Sequence, residues 1–66
     1  MNKNTKDLTK REHEVLQLLL LGETNKKIAL MLGISDFTVR EYVSSILRKK
    51  GVKSRAKLFA EKFKKN

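Results

Sequence analysis

The stretch IALMLGISDFTVREY, residues 28–42, places two helical patterns on either side of a joint of three residues, Gly33-Ile34-Ser35. Glycine tolerates the left-handed backbone that ends a helix, and serine is a preferred N-terminal cap for the next helix. A short helix, a short turn containing glycine and a longer capped helix are typical of a helix-turn-helix. We therefore expect the joint to hold two helices at a steep angle, with Ile34 filling the core between them.

Similar start and stop signals recur on both sides of this stretch. Gly22 and Gly51 each follow an apolar periodic run, and Thr9 with Glu12 forms a capping box. Thr24 and Ser54 precede the second and fourth helical patterns, and both are further N-cap candidates. The sequence thus predicts an all-α domain, a four-helix bundle containing a helix-turn-helix, with helices at about 10–21, 25–32, 36–50 and 55–63.

Each of the first three predicted helices carries apolar residues on one face at helical spacing, as expected for a shared core. These positions, with one at the entry to the first helix, are Leu8, Val15, Leu16, Leu18, Leu19, Ile28, Ala29, Leu32, Val39, Val43, Ile46 and Leu47. The opposite face of the third helix is left with Phe37, Arg40, Glu41, Ser44 and Arg48.

Composition narrows the class of protein. The chain has 66 residues, no cysteine, and 16 Lys and Arg against 7 Asp and Glu, which gives a net charge of +9. This charge favours a polyanionic partner, first nucleic acid and then an acidic membrane surface, although lysine also serves solubility. No apolar run approaches the roughly 18 residues of a membrane span, and the start resembles no signal peptide. We expect a cytoplasmic protein, with the domain at 8–63, a flexible basic tail at 1–7 and a flexible end at 64–66.

The outer face of the third helix has the chemistry that base reading requires. Its side chains include hydrogen-bond donors, an acceptor and an exposed aromatic ring, and the major groove is wide enough for one helix. The alternative is that this face is only the solvated side of a core helix.

At these residues the sequence resembles the LuxR/GerE-type DNA-binding domain, a four-helix module of bacterial transcription regulators. The matching motifs are LTKRE at 8–12, EVL at 14–16, NKKIA at 25–29, L-x-IS at 32–35, TVR at 38–40 and GVKSR at 51–55. The resemblance covers residues 8 to about 60, and it implies sequence-specific binding of double-stranded DNA with the third helix in the major groove.

The resemblance also implies roles for single residues. Base contacts fall on Arg40, Glu41 and Ser44. Phosphate contacts fall on the helix starts, whose free N–H groups suit anions. The residues at these positions are Asn25, Lys26, Ser35, Thr38, Lys53, Ser54 and Arg55. The sequence departs from the family pattern at Lys27, Tyr42 and Glu41, and these differences leave the target sequence open. Glu41 can accept a hydrogen bond from a cytosine amino group but repels phosphate.

The fourth predicted helix has two apolar sides. We assign Leu58 and Phe59 to the core, and Ala56, Ala60 and Phe63 to the two-fold dimer that the resemblance implies. The alternative is that Phe63 folds back over the end of the domain. Such a homodimer, formed in solution or only on DNA, predicts an inverted-repeat site with half-sites about 10 base pairs apart.

Other classes of protein fit the sequence less well. We expect no enzyme, because His13 is the only histidine and no catalytic or metal-binding constellation is apparent. No cofactor, metal or small-molecule ligand is expected. One remaining alternative is a cationic helical protein that binds membrane surfaces, but such a protein would need one long amphipathic helix. The other is a promoter-binding module like region 4 of sigma factors, and the GVKSR motif at 51–55 favours the LuxR/GerE type over it. RNA polymerase is a candidate further partner. The chain is either a stand-alone regulator or a fragment of a longer one.

Overall fold

The computed structural model describes residues 7–63. It contains four α-helices, which are α1 (Lys10–Leu20), α2 (Asn25–Leu32), α3 (Asp36–Lys50) and α4 (Arg55–Lys62). Helix α1 packs against each of the other three, and α2 packs against α3. The predicted all-α domain is therefore confirmed. Within the described residues, no helix is long and apolar enough to cross a membrane.

Two helices end one residue earlier than predicted, and the predicted flexible ends are for the most part not described. Leu21 and Phe63 were expected inside α1 and α4, but both are C-caps. Their N–H groups still donate to helix carbonyls, and ψ is near zero at both residues. Leu21 keeps a right-handed helical backbone, whereas Phe63 has left that region. The predicted flexible segments, 1–7 and 64–66, lie outside the described residues except for Asp7.

The joint between α2 and α3 follows from its three residues. Gly33 has a left-handed backbone, with φ 70° and ψ 36°, which a residue with a Cβ adopts only at a cost. The next N–H, of Ile34, donates to the carbonyl of Ala29 at 3.0 Å, so the end of α2 is closed by a Schellman-type bond. The hydroxyl of Ser35 then accepts from the N–H of Thr38 at 3.0 Å and begins α3. The turn is therefore specified locally, as the sequence predicted.

The core is made by all four helices. Its buried apolar residues are Val15, Leu16, Leu19, Ile28, Ala29, Val39, Val43, Ile46 and Leu58. The other predicted core positions pack against it while partly buried, and so does Ile34 of the joint. Phe59, also expected in the core, is only partly buried. Leu21 and Leu30 are 71% and 75% exposed, so these two apolar side chains lie outside the core.

A buried carboxylate ties the beginning of α1 to α3. Glu12 accepts hydrogen bonds from the N–H of Thr9 at 2.8 Å, from the hydroxyl of Ser45 at 2.6 Å and from the ammonium of Lys49 at 2.9 Å. Burial alone would raise the pKa of Glu12. The bonds from Lys49, Ser45 and Thr9 outweigh burial and lower the pKa from 4.5 to about 2. The predicted capping box is confirmed, and the structure adds its link to α3.

Candidate nucleic-acid interface

The outer face of α3 is the most distinctive surface of the domain. Because Val39, Val43 and Ile46 turn into the core, the helical repeat leaves the opposite side of α3 to solvent. The side chains there line one shallow concavity of about 360 Å³, formed by Phe37, Arg40, Glu41, Ser44 and Arg48. All five residues are exposed. The structure thus brings together the three predicted base-contacting residues with Phe37 and Arg48.

The chemistry of this face is mixed. Arg40 and Arg48 carry guanidinium groups with several donors each, Glu41 is an acceptor when ionised, and the hydroxyl of Ser44 both donates and accepts. Among the described residues, none of these charged groups is in an ion pair. The face therefore presents donors, acceptors and one apolar ring that are free to meet an external surface.

The start of α3 is already organised by bonds within the protein. Ser35 donates its hydroxyl hydrogen to the hydroxyl oxygen of Thr38 at 3.0 Å and accepts from the Thr38 N–H. The N–H of Thr38 is therefore occupied, whereas its hydroxyl hydrogen is still available. Asp36, in the first turn, matches the positive end of the helix dipole. Its charge would repel an anion, which leaves the hydroxyl groups of Ser35 and Thr38 as the polar groups suited to one at this end of α3.

The starts of α2 and α4 meet through two predicted phosphate-contacting residues. The guanidinium of Arg55 donates to the side-chain carbonyl of Asn25 at 2.6 Å, and more weakly to the backbone carbonyl of Glu23 at 3.4 Å. The amide NH₂ of Asn25 and the remaining N–H groups of Arg55 stay available as donors. The pair forms a fixed cluster of donors where two helices begin. This contact could not be predicted from the sequence, because the two residues are 30 positions apart and no local pattern links them.

The remaining predicted phosphate-contacting residues lie at the same helix starts. Lys26 in the first turn of α2 is exposed, and so is Lys53 just before α4. Ser54 is the N-cap of α4, and its hydroxyl accepts from the N–H of Lys57 at 3.4 Å. These cations contrast with Arg11 and Lys49, which form the two ion pairs of the described residues with Glu14 and Glu12. At the starts of α2 and α4, which have no acidic residue in the first turn, Lys26 and Lys53 are therefore not paired with a carboxylate among the described residues.

The residues assigned to a dimer seam are all exposed. Ala56 and Ala60 lie on the solvent side of α4, opposite the buried Leu58. Phe63 is 67% exposed, so it does not fold back over the domain as the alternative supposed. The ammonium of Lys62 lies 5.6 Å from the centre of the Phe63 ring, a cation–π distance. The seam stays a prediction, since no second copy is present.

Comparison with known proteins agrees with this geometry. Residues 6–61 match the family described as "Bacterial regulatory proteins, luxR family". The chain is 48% identical over 54 residues to spore germination protein GerE of Bacillus subtilis, covering 82% of this chain and 73% of that protein.

Similarity to longer regulators is confined to part of their length. The chain is 46% identical over 57 residues to transcriptional regulatory protein DegU of Brevibacillus brevis, covering 86% of this chain and 24% of that protein. It is 48% identical over 48 residues to nitrate/nitrite response regulator protein NarP of Escherichia coli, covering 73% of this chain and 22% of that protein. The chain belongs to the luxR family of bacterial regulatory proteins, a family of DNA-binding regulators of transcription.

Proposed function

We propose that the chain regulates transcription by placing α3 in the major groove of double-stranded DNA. The observation that carries the proposal is the outer face of α3, where Arg40, Glu41 and Ser44 are exposed together while the opposite face is buried in the core. A helix with its side chains is about 10–12 Å across, and the major groove is about 12 Å wide.

Three residues of this face have distinct tasks in the proposal. The guanidinium of Arg40 suits the O6 and N7 acceptors of guanine, the carboxylate of Glu41 suits the N4 amino group of cytosine, and the hydroxyl of Ser44 suits either kind of edge. Because Glu41 would repel phosphate, it must lie over the bases and away from the strands. This requirement restricts how α3 can lie in the groove.

Phosphate contacts from the helix starts would fix the position of the domain on the duplex. The residues assigned to this task are Asn25, Lys26, Ser35, Thr38, Lys53, Ser54 and Arg55. Supporting the assignment are the exposed lysines, the donor cluster of Asn25 and Arg55, and the positive ends of the dipoles of α2 and α4, whose first turns hold no acidic residue. Contacts of this kind position a protein without reading sequence.

We further propose a two-fold homodimer through α4, formed by Ala56, Ala60 and Phe63. Two small alanines allow two such helices to approach closely, and Phe63 closes the contact. The domain is 33 Å in its longest dimension, close to the ~34 Å of one DNA turn between half-sites. The target is then an inverted repeat.

On this proposal the protein acts in the cytoplasm at the nucleoid, without a cofactor, small-molecule ligand or catalytic activity. RNA polymerase is a candidate further partner.

The salt dependence of binding tests the proposal. About six phosphate contacts give a slope near −5 in a plot of log affinity against log salt concentration, or about a thousandfold loss between roughly 50 and 200 mM salt. The measurement is fluorescence anisotropy with a duplex selected from a random pool. Affinity that stays constant over this range, or a selection that yields no preferred sequence, would contradict the proposal.

A further inference from the structure

Phe37 is an aromatic residue whose side chain lies outside the core. It lies in the first turn of α3 and is 61% exposed, although Val39 and Val43 of the same helix are buried. It lines the same concavity as Arg40 and Glu41. Its apolar ring therefore stands on the face that the proposed function turns toward the bases.

The position of Phe37 along α3 matters as much as its exposure. Recognition helices contact base edges mainly with their N-terminal residues, and Phe37 is the second residue of this helix. Arg40 and Glu41 follow three and four residues later on the same face. At a rise of 1.5 Å per residue, this separation is about 5 Å along the helix, between one and two base-pair steps of ~3.4 Å. Phe37 would therefore lie over a base pair close to the pair that Arg40 and Glu41 meet.

The side chain of Phe37 has no hydrogen-bonding group, so it cannot distinguish bases by donors and acceptors. The feature of the major groove that matches an apolar ring is the 5-methyl group of thymine. We infer that Phe37 is a specificity-determining residue that reads a thymine methyl group at one position of each half-site. This inference rests on the proposed docking of α3 in the major groove, and it adds to that docking a preference for one base.

Replacement of thymine by deoxyuridine tests the inference, because it removes only the methyl group and keeps base pairing and the O4 acceptor. Each thymine of the selected duplex is replaced in turn, and affinity is measured by anisotropy at constant salt. For the unmodified protein we expect about a fourfold loss at one position of each half-site, the effect of one buried methyl group. In Phe37→Ala, thymine and deoxyuridine at that position should bind equally, while Phe37→Leu should keep part of the preference.

The matched control is Leu30→Ala, which truncates another exposed apolar side chain, on α2, and should leave the deoxyuridine penalty unchanged. The inference is overturned if no deoxyuridine weakens binding of the unmodified protein, if Phe37→Ala keeps the same penalty, or if the selected half-site has no thymine. Loss of affinity in Phe37→Ala that is equal for all duplexes also overturns it, since the ring would then touch the sugar-phosphate backbone. If the inference about Phe37 fails but sequence preference still depends on Arg40, the proposed function stands. If the protein shows no sequence preference at all, the inference and the proposed function are both overturned.

Discussion

Arg40 and Lys26 carry the same charge but stand in different surroundings. Arg40 lies in the concavity on the outer face of α3, and Lys26 lies in the first turn of α2. A bidentate contact from arginine to guanine discriminates between bases, whereas a lysine on phosphate does not. The two residues therefore test separately how the protein reads sequence and how it holds the duplex.

For Arg40→Ala we expect a loss of about 1–3 kcal/mol on the preferred site and relaxed specificity at one base pair. Arg40→Lys keeps the positive charge but cannot make the bidentate hydrogen bonds of a guanidinium, so it should also relax specificity. Affinities for a set of single-mismatch duplexes provide the measurement. If both variants rank these duplexes as the unmodified protein does, α3 lies in a different register from the one proposed.

For Lys26→Ala we expect weaker binding to all duplexes alike, with the salt slope reduced by about one. Lys10→Ala is the matched control, because Lys10 begins α1 near the end of α3 farthest from Phe37 and Arg40. The same mismatch set measures both variants. A Lys26→Ala variant that changes the order of preference among duplexes would show that Lys26 reads bases.

Single residues also show what the sequence could predict about the site. The outer face of α3 followed from the helical repeat alone, because the apolar positions fix which side is buried. The contact between Asn25 and Arg55 did not, since it depends on where the packing of α2 and α4 against α1 places the starts of these two helices. For the same reason the link from Glu12 to Ser45 and Lys49 was missed, although Glu12 was identified as a capping residue.

At the scale of the elements, Glu12 makes the junction of α1 and α3 sensitive to pH. Its pKa is lowered to about 2 in the folded protein, below the ordinary 4.5. The unfolded chain therefore binds this proton more readily, so the stabilisation by Glu12 is fully present above about pH 4.5 and is lost as the pH falls toward 2. We expect the urea midpoint of unfolding to decline across this window.

Glu12→Gln separates this residue from the other carboxylates. The variant should be less stable at neutral pH by about 1–3 kcal/mol, because Ser45 and Lys49 lose a charged acceptor. Its decline in stability between pH 4.5 and 2 should be smaller than that of the unmodified protein. Parallel declines in the two proteins would mean that the hydrogen bonds of Glu12 do not hold its pKa low.

The elements themselves were largely predictable because their ends carry local signals. Thr9, Thr24, Ser35 and Ser54 all cap the helices that they were expected to cap. The approximate bounds extended one residue too far at Leu21 and Phe63, because neither residue type marks the end of a helix. Helix bounds shift by one or two residues at such ends, because the N–H of the cap is still bonded to a helix carbonyl.

At the scale of the whole molecule, Phe63→Glu tests the proposed dimer. A charge on an apolar seam should abolish cooperative binding to a duplex with two half-sites, because the carboxylates would face each other across the two-fold axis. Since Phe63 is exposed in the single domain, helicity and binding to one half-site should be nearly unchanged. Circular dichroism and anisotropy on one-site and two-site duplexes measure these effects.

Leu30→Glu is the control for this experiment, because it places the same charge on an exposed apolar position of α2 and should leave cooperativity intact. Cooperativity that survives Phe63→Glu, or unfolding of this variant, would remove Phe63 from the seam.

The arrangement of the four helices was predictable from the motifs that resemble the family. The assembly was not, since an exposed apolar residue looks the same with or without a partner.

The central claim is that α3 and the starts of its neighbouring helices form the surface that meets DNA. Titration of the isotopically labelled protein with the selected duplex, followed by amide chemical shifts, tests this residue by residue. We predict the largest changes at 25–26, 35–44 and 53–55, with little change along the solvent side of α1. Changes concentrated on α1, with residues 35–44 unaffected, would contradict the account.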